Sequence, residues 1–289
     1  MLTILEVIRR TADFFEKRGV ENPRLNAELI VAHVLGLSRM KLYLQFERPL
    51  GEKELAPIRE LVRRRGRREP LAYVLGEAAF LDFTLKVDAR VLVPRPETEQ
   101  LVEIVRDTCA EGPPPRAILD LGTGSGAIAI ALAAAFPEAA VTAVDAAGDA
   151  LELAAANAAA CGLGDGRIRF LESDWFAGIP GGERFDLIVS NPPYLTEAEL
   201  AEAEPEVRDF EPRHALVAAD GGCADLLGII AAAAQWLAPG GRLFLETGID
   251  QHARLIPAMK AAGFCSARSI QDWSGRDRFV AGAMAPAGV

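Results

Sequence analysis

The sequence predicts an α/β fold, in which helices cover both faces of a mostly parallel sheet and a small helical region precedes it. Two observations carry this. From Arg116 onward, short apolar runs of strand character alternate with helical stretches, whereas residues 1–76 show only helical periodicity. Between the two, residues 77–96 change to a two-residue alternation typical of a β-hairpin. The expected organisation is a helical domain at 1–76, a hairpin linker at 77–96 and a sheet domain at 97–289.

In the first region, Ile4, Ile8, Ala12 and Phe15 share a helix face that stops near Gly19. Asn22-Pro23 offers a cap and a first helical residue, and Gly36 ends that helix. Ser38 can cap the next, and Leu55, Ile58, Leu61 and Val62 form a further stripe. Phe80, Phe83, Leu85 and Val87, then Val91 and Val93, predict a hairpin turning near Asp88-Ala89. A helix over Thr98–Cys109 is followed by the stiff spacer Pro113-Pro114-Pro115. Strands are expected at 117–121, 140–145, 168–171, 185–190, 242–246, 265–270 and 278–283. Helices are expected at 127–136, 149–161, 224–237 and 252–262. Pro239-Gly240-Gly241 reads as a turn.

Half of the 289 residues are apolar and a quarter are charged, which suits a globular chain with a sizeable core. Lys plus Arg is 31 against 41 Asp plus Glu, a formal net charge of −10 that argues against a general nucleic-acid partner. The four cysteines stand far apart with no CxxC spacing, and His33, His214 and His252 are scattered, so neither a disulfide framework nor a metal site is expected. The stretch MLTILEVIRR runs straight into an amphipathic helix without the pattern of a signal peptide. The Ala-rich run Ala127–Phe136 is about half the ~20 residues a membrane span needs. A cytoplasmic monomer with no membrane association is expected.

Two motifs carry chemistry. In the first, Ile118-Leu119-Asp120 leads into Leu121-Gly122-Thr123-Gly124-Ser125-Gly126 and then a helix. Glycines there let the backbone turn sharply and approach a ligand at the carboxyl end of the sheet. The next strand ends at Asp145, a carboxylate suited to ribose hydroxyls. After the third strand, Ser173-Asp174-Trp175-Phe176 offers Asp174 to an adenine amino group and the Trp175 ring for stacking. Bland alternatives stand beside these: Trp175 as a core aromatic, Asp174 as a helix N-cap. Acidic residues at successive strand ends (Asp120, Asp145, Asp174) disfavour a pyrophosphate and suit an adenosine-bearing cation. S-adenosyl-L-methionine has both features.

In the second motif, the strand Phe185–Ser190 delivers Asn191-Pro192-Pro193-Tyr194 to the same edge. Two prolines make a stiff segment that lacks two N–H donors, leaving its carbonyls free. The Asn191 side-chain oxygen and the Pro192 carbonyl can each accept one N–H of a planar NH₂ group, and Tyr194 offers a flat face. Such acceptors favour pyramidalisation of a delocalised nitrogen and turn its lone pair toward an electrophilic methyl. The work is positioning and electrostatics, without a strong base. Asn191, Pro192 and Tyr194 are the expected catalytic residues, with Pro193 completing the substrate clamp.

The chain resembles the HemK/PrmC family of protein-(glutamine-N5) methyltransferases. The resemblance runs through Arg68–Gly76, Val93-Pro94-Arg95-Pro96-Glu97-Thr98-Glu99, Asp120–Gly126, Ser173–Phe176, Ser190–Tyr194 and Phe210-Glu211-Pro212. It implies a helical substrate-recognition domain, a hairpin linker and a Rossmann-like class I S-adenosylmethionine methyltransferase domain. It implies cofactor contacts from Gly122–Gly126, Asp145, Trp175 and Asn191, with S-adenosyl-L-homocysteine as product. The implied substrate is the glutamine of a Gly-Gly-Gln loop in class I peptide chain release factors, held by Asn191–Tyr194. Three stretches depart from the family pattern: Thr247 after Glu246, the small-residue run Ala218–Gly228, and Ala146-Ala147-Gly148 after Asp145.

The motifs around the reacting nitrogen fit equally a glutamine in a ribosomal large-subunit protein, and they also occur in adenine and cytosine amino-methyltransferases of DNA. The latter must flip a base and track phosphates, which a net charge of −10 disfavours. A non-enzymatic nucleoside-binding module is a third alternative, opposed by the intact Asn191–Tyr194 loop. The basic run Arg63–Arg68 reads as a solvated helix end or as a docking patch for an acidic partner.

Overall fold

The computed structural model describes residues 2–164 and 166–286. The chain falls into two units, Met1–Glu77 with Glu204–Phe210 and Ala78–Ala203 with Glu211–Val289.

The first unit is helical: α1 (Ile4–Glu16), α2 (Pro23–Leu35), α3 (Arg39–Tyr43), α4 (Glu52–Arg65) and α5 (Leu71–Leu75), plus a helical turn at Pro205–Arg208. Thr3 and Glu6 close a reciprocal capping box on α1, which satisfies two otherwise orphaned N–H groups. Ile4, Ile8, Phe15, Ile30, Val31, Leu42 and Ile58 form its core. Val7 and Thr11 are buried on α1 as well, and Ala12 packs, partly buried, against the same core. Asn22 precedes α2 as expected but does not cap it through its side chain, because its backbone is left-handed (φ 48°). Instead its carbonyl accepts the Asn26 side-chain amide at 3.1 Å.

Three arginines of the basic run at the end of α4, Arg64, Arg65 and Arg68, are engaged in ion pairs within this unit. Arg65 is buried; its guanidinium donates to Asn26 Oδ1 at 2.7 Å and pairs with Glu206 at 2.7 Å. Arg68 pairs with both Glu204 (2.7 Å) and Glu206 (2.6 Å), and Arg64 with Glu69 at 2.5 Å. Burial pushes the Glu206 carboxyl up, but Arg68 and Arg65 outweigh it and hold the group below the usual carboxylate range. Of the run, Arg63 and Arg67 are exposed.

The second unit begins with β1 (Glu77–Phe80), only its first residue lying outside, and β2 (Phe83–Lys86). This is the hairpin, and it turns at Leu81-Asp82 rather than at Asp88-Ala89. Leu81 takes a left-handed φ of 49°, and its N–H donates to the Glu99 carboxylate at 2.7 Å. Val87 and Val91 are buried without joining a strand, and Asp88 accepts the Arg90 N–H at 3.1 Å in a local turn.

The sheet follows: α6 (Pro96–Ala110), β3 (Ala117–Leu121), α7 (Ala127–Ala135), β4 (Ala140–Asp145), α8 (Gly148–Ala160), β5 (Ile168–Glu172), β6 (Phe185–Ser190), α9 (Glu197–Glu202), α10 (Ala224–Trp236), β7 (Leu237–Glu246), α11 (His252–Ala261), β8 (Arg268–Gln271) and β9 (Asp277–Ala283). Strand order is β5-β4-β3-β6-β7-β9-β8. Pairing is parallel from β5 to β7 and antiparallel through β9 and β8. Alternation along each strand divides the core. Ile118, Leu187, Val189 and Phe244 face α6 and α7, whereas Leu119, Leu121, Ile188, Leu243 and Leu245 face α10 and α11. Pro239-Gly240-Gly241 lies within β7 as an irregularity: Leu237 pairs with Phe185 and Arg242 with Leu187. The chain leaves β3 toward β4 on one side and returns to β6 on the other. The carboxyl ends of β3, β4 and β6 thus meet at the switch point, where open α/β sheets bind ligands. Among the described residues no helix is long and apolar enough to cross a membrane.

Candidate active site

The glycine loop joins β3 to α7 with Gly122, Gly124 and Gly126 at φ 68°, 54° and 84°. A side chain at Gly126 would be strained at this positive φ and crowded, its Cβ 3.1 Å from the Ala154 Cβ where α7 and α8 approach closely. Asp120 does not face the cleft. It is fully buried, and its Oδ2 accepts the Thr123 hydroxyl at 2.6 Å and the Ala129 N–H at 3.1 Å, bracing the loop from behind. Burial raises its carboxyl to about 7, against the pull of those two bonds. Asp145, at the end of β4, accepts the Gly124 N–H at 2.9 Å and the Ala147 N–H at 3.0 Å. Each of its oxygens keeps a second lone pair for a ligand hydroxyl.

Asp174 caps no helix; a turn follows, closed by Ala177 N–H to the Asp174 carbonyl at 3.0 Å. Trp175 sits at φ 48°, a region costly for a bulky residue, and its carbonyl accepts the Ser173 hydroxyl at 2.7 Å. The ring has two neighbourhoods. It packs against the Leu119–Leu245 core and also lines the cleft, its edge 3.5 Å from where a Gly122 Cβ would stand.

Beside this cradle, Asn191 and Pro193 line the same cleft, whereas Pro192 is buried and neither it nor Tyr194 is part of the lining. The Asn191 side-chain nitrogen donates to Thr98 Oγ1 at 3.0 Å, and Thr98 Oγ1 donates to Glu246 Oε2 at 2.7 Å. The Tyr194 hydroxyl donates to the other oxygen of Glu246 at 3.1 Å. Burial, and then the Glu246 charge, push the Tyr194 hydroxyl far above its ordinary range, so it stays a donor. The Tyr194 carbonyl accepts Gln251 Nε2 at 2.8 Å.

The cleft holds roughly 1000 Å³ of empty space, part of it open to solvent, a size that suits a nucleoside-bearing ligand. Of the expected contacts, Gly122–Ser125, Asp145, Asp174, Trp175, Asn191 and Pro193 line it together, and Gly126 stands behind. Sequence reasoning assigned no place to Arg90, Leu92, Thr98, Ile128 or His214, which also line it. Arg95 lines it too and is ion-paired with the buried Glu211, while Arg90 pairs with Asp88 at 2.8 Å. These two cations are thus already neutralised by carboxylates.

The match of this chain to known proteins is end to end. The PrmC N-terminal domain family matches residues 6–76, and the methyltransferase small domain family matches residues 98–205. A release factor glutamine methyltransferase of Geobacter sulfurreducens is 42% identical over 280 residues, covering 97% of this chain and 96% of that one. Its counterpart in Chlorobaculum tepidum is 44% identical over 284 residues, covering 96% and 95%. The chain belongs to the release factor glutamine methyltransferase family. The class I methyltransferase fold of this family member is seen also against the T. thermophilus 16S rRNA N2 G1207 methyltransferase solved with AdoMet and guanosine. That structure has TM-score 0.54 and 21% identity and covers 72% of this chain and 49% of its own. Thr247 follows Glu246 directly after β7. Its hydroxyl meets His252 Nε2 at 2.7 Å, and His252 Nδ1 meets Ser269 at 2.7 Å, forming a buried polar cluster beside Glu246. Burial lowers the His252 pKa, which keeps the ring neutral.

Proposed function

We propose that the chain transfers a methyl group from S-adenosyl-L-methionine to the side-chain amide nitrogen (N5) of the glutamine in the Gly-Gly-Gln motif of class I peptide chain release factors. The products are S-adenosyl-L-homocysteine and N5-methylglutamine, with one proton released. The observation that carries this is near-complete coverage at 42% and 44% identity by release factor glutamine methyltransferases. On this reading residues 1–76 recognise the protein substrate, 77–96 link, and 97–289 catalyse. The enzyme acts as a cytoplasmic monomer, independent of nucleic acid and membrane.

The cradle suits the cofactor chemically. Gly122–Gly126 would hold it by close approach of the backbone, Asp145 through ribose hydroxyls, and Asp174 and Trp175 through the adenine. Pairing of Arg90 and Arg95 with Asp88 and Glu211 lowers the repulsion a cationic ligand meets. The cofactor supplies an electrophilic methyl on a sulfonium. The chain supplies position. Asn191 Oδ1 and the Pro192 carbonyl each accept one N–H of the glutamine amide, fixing its plane and turning the nitrogen lone pair outward. Tyr194 steadies this clamp through its hydroxyl, which is tied to Glu246. No side chain here needs to act as a strong base, since the amide nitrogen becomes acidic once methylated and its proton passes to water.

The test is transfer of labelled methyl to three acceptors offered in competition: a release factor, the same factor with its motif glutamine changed to glutamate, and a ribosomal large-subunit protein. Label on the first alone is expected. Label on the ribosomal protein alone would overturn the substrate assignment.

A further inference from the structure

The amide of Asn191 has two ends of opposite polarity, and the clamp works only with its carbonyl turned to the substrate N–H. The Asn-Pro-Pro-Tyr segment itself does not decide which end that is. The decision is made one layer back, where Asn191 Nδ2 donates to Thr98 Oγ1 (3.0 Å), Thr98 Oγ1 donates to Glu246 Oε2 (2.7 Å), and Tyr194 donates to Glu246 Oε1 (3.1 Å). Glu246 is fully buried. An ionised carboxylate only accepts, so it takes the single hydroxyl protons of Thr98 and Tyr194. Thr98, having given its proton away, can meet Asn191 only as an acceptor. The Asn191 NH₂ must then face Thr98, and its Oδ1 is turned the other way.

We propose that Thr98 and Glu246 are positioning residues that set the polarity of the Asn191 amide for methyl transfer. The proposal rests on the reading of Asn191 as an acceptor for the substrate amide, and deepens it. It also gives a use to the Arg95-Pro96-Glu97-Thr98-Glu99 stretch, whose threonine is the link between the reacting loop and the end of β7.

The arrangement is sensitive to protons. A protonated Glu246 must donate one bond. Given to Thr98, that bond lets the Thr98 hydroxyl donate to Asn191 Oδ1, and the amide then presents NH₂ to an NH₂ substrate. The groups facing Glu246 are Thr98 and Glu97 of α6, Tyr194 of the loop and Arg278 of β9. Burial raises the Glu246 carboxyl to about 7, opposed by Thr98, Tyr194 and Arg278 and assisted by Glu97. The ionised, productive arrangement is therefore lost as pH falls through that value.

The experiment compares steady-state transfer to a release factor by wild type, Thr98→Val, Thr98→Ser, Glu246→Gln and Asn191→Ala. Thr98→Val should lower kcat by about a hundredfold, as misplaced reacting groups do, with the cofactor KM nearly unchanged. Thr98→Ser, which keeps the hydroxyl, should restore most of kcat. Wild-type kcat should show an acid limb near pH 7, which Glu246→Gln removes along with most of the rate. Wild-type turnover by Thr98→Val overturns the proposal. Should that variant not fold, Thr98→Ala takes its place, and wild-type turnover by Thr98→Ala overturns the proposal. If Asn191→Ala itself turns over normally, the acceptor reading has failed. If Asn191→Ala is inactive while Thr98→Val is normal, only the positioning role has failed.

Discussion

At the scale of single residues, the Tyr194 carbonyl oxygen of the reacting loop is closely confined. It accepts Gln251 Nε2 at 2.8 Å, and Gly222 packs against it next to that side chain. A Cβ on Gly222 would stand 2.1 Å from that oxygen, on a backbone already at φ 78°. Gly222→Ala must therefore move the loop or itself. It should cost more than about 1 kcal/mol of stability, the scale for a side chain forced to positive φ, and lower kcat more than cofactor affinity. Urea unfolding with cofactor titration checks both, and an unchanged kcat would detach Gly222 from the site. Such residues explain what the sequence could and could not disclose. The glycine loop and Asn191–Tyr194 are contiguous, and each carries its chemistry within a few positions. Thr98, Gly222, Glu246 and Gln251 come from four separate segments and meet only once the sheet is built. Asp120 and Asp145 look alike as strand-end carboxylates, yet one is sealed behind the loop and the other lines the cleft, because the register pairs Asp120 with Ala143 and carries Asp145 two positions further toward the carboxyl edge.

At the scale of elements, periodicity located the strands at the centre of the sheet and most helices to within a residue or two. It misplaced the hairpin turn, because Val87 and Val91 are buried as strand residues are, but by loop packing. The turn at Leu81 depends on the Glu99 carboxylate, eighteen positions away, which no local pattern reveals. The arginines closing α4 were ambiguous for the same reason: their partner Glu206 lies 141 positions from Arg65. That partner gives a stability prediction. Side chains of Arg65 and Glu206 are only 6% and 17% exposed, so Glu206→Gln leaves a nearly buried guanidinium without its counter-charge. Breaking such a pair should cost about 3 kcal/mol near neutral pH. Since the folded-state Glu206 pKa is depressed, its contribution is present above the ordinary carboxylate range and lost as pH falls through the folded value. Unfolding curves of wild type and variant should accordingly separate at neutral pH and converge in acid. A constant separation across that range would mean that the ion pair is not the source.

At the scale of the whole molecule, alternation of strand and helix was enough for the fold class, and a net charge of −10 was enough to disfavour a nucleic-acid substrate. Neither could name the acceptor nitrogen. That step came from the linear motifs and from family membership, and the structure adds how the loop is held: from β7 through Glu246, from α6 through Thr98, and from the Gly222–Gln251 side. The central claim is that this clamp serves one glutamine side-chain amide. Tandem mass spectrometry of the Gly-Gly-Gln peptide, taken from a release factor after incubation with the chain and S-adenosyl-L-methionine, tests it most directly. The account predicts a gain of one methylene mass on the glutamine side-chain nitrogen, absent when Asn191→Ala replaces wild type. An unmodified peptide, or a methyl on any other residue, would contradict it.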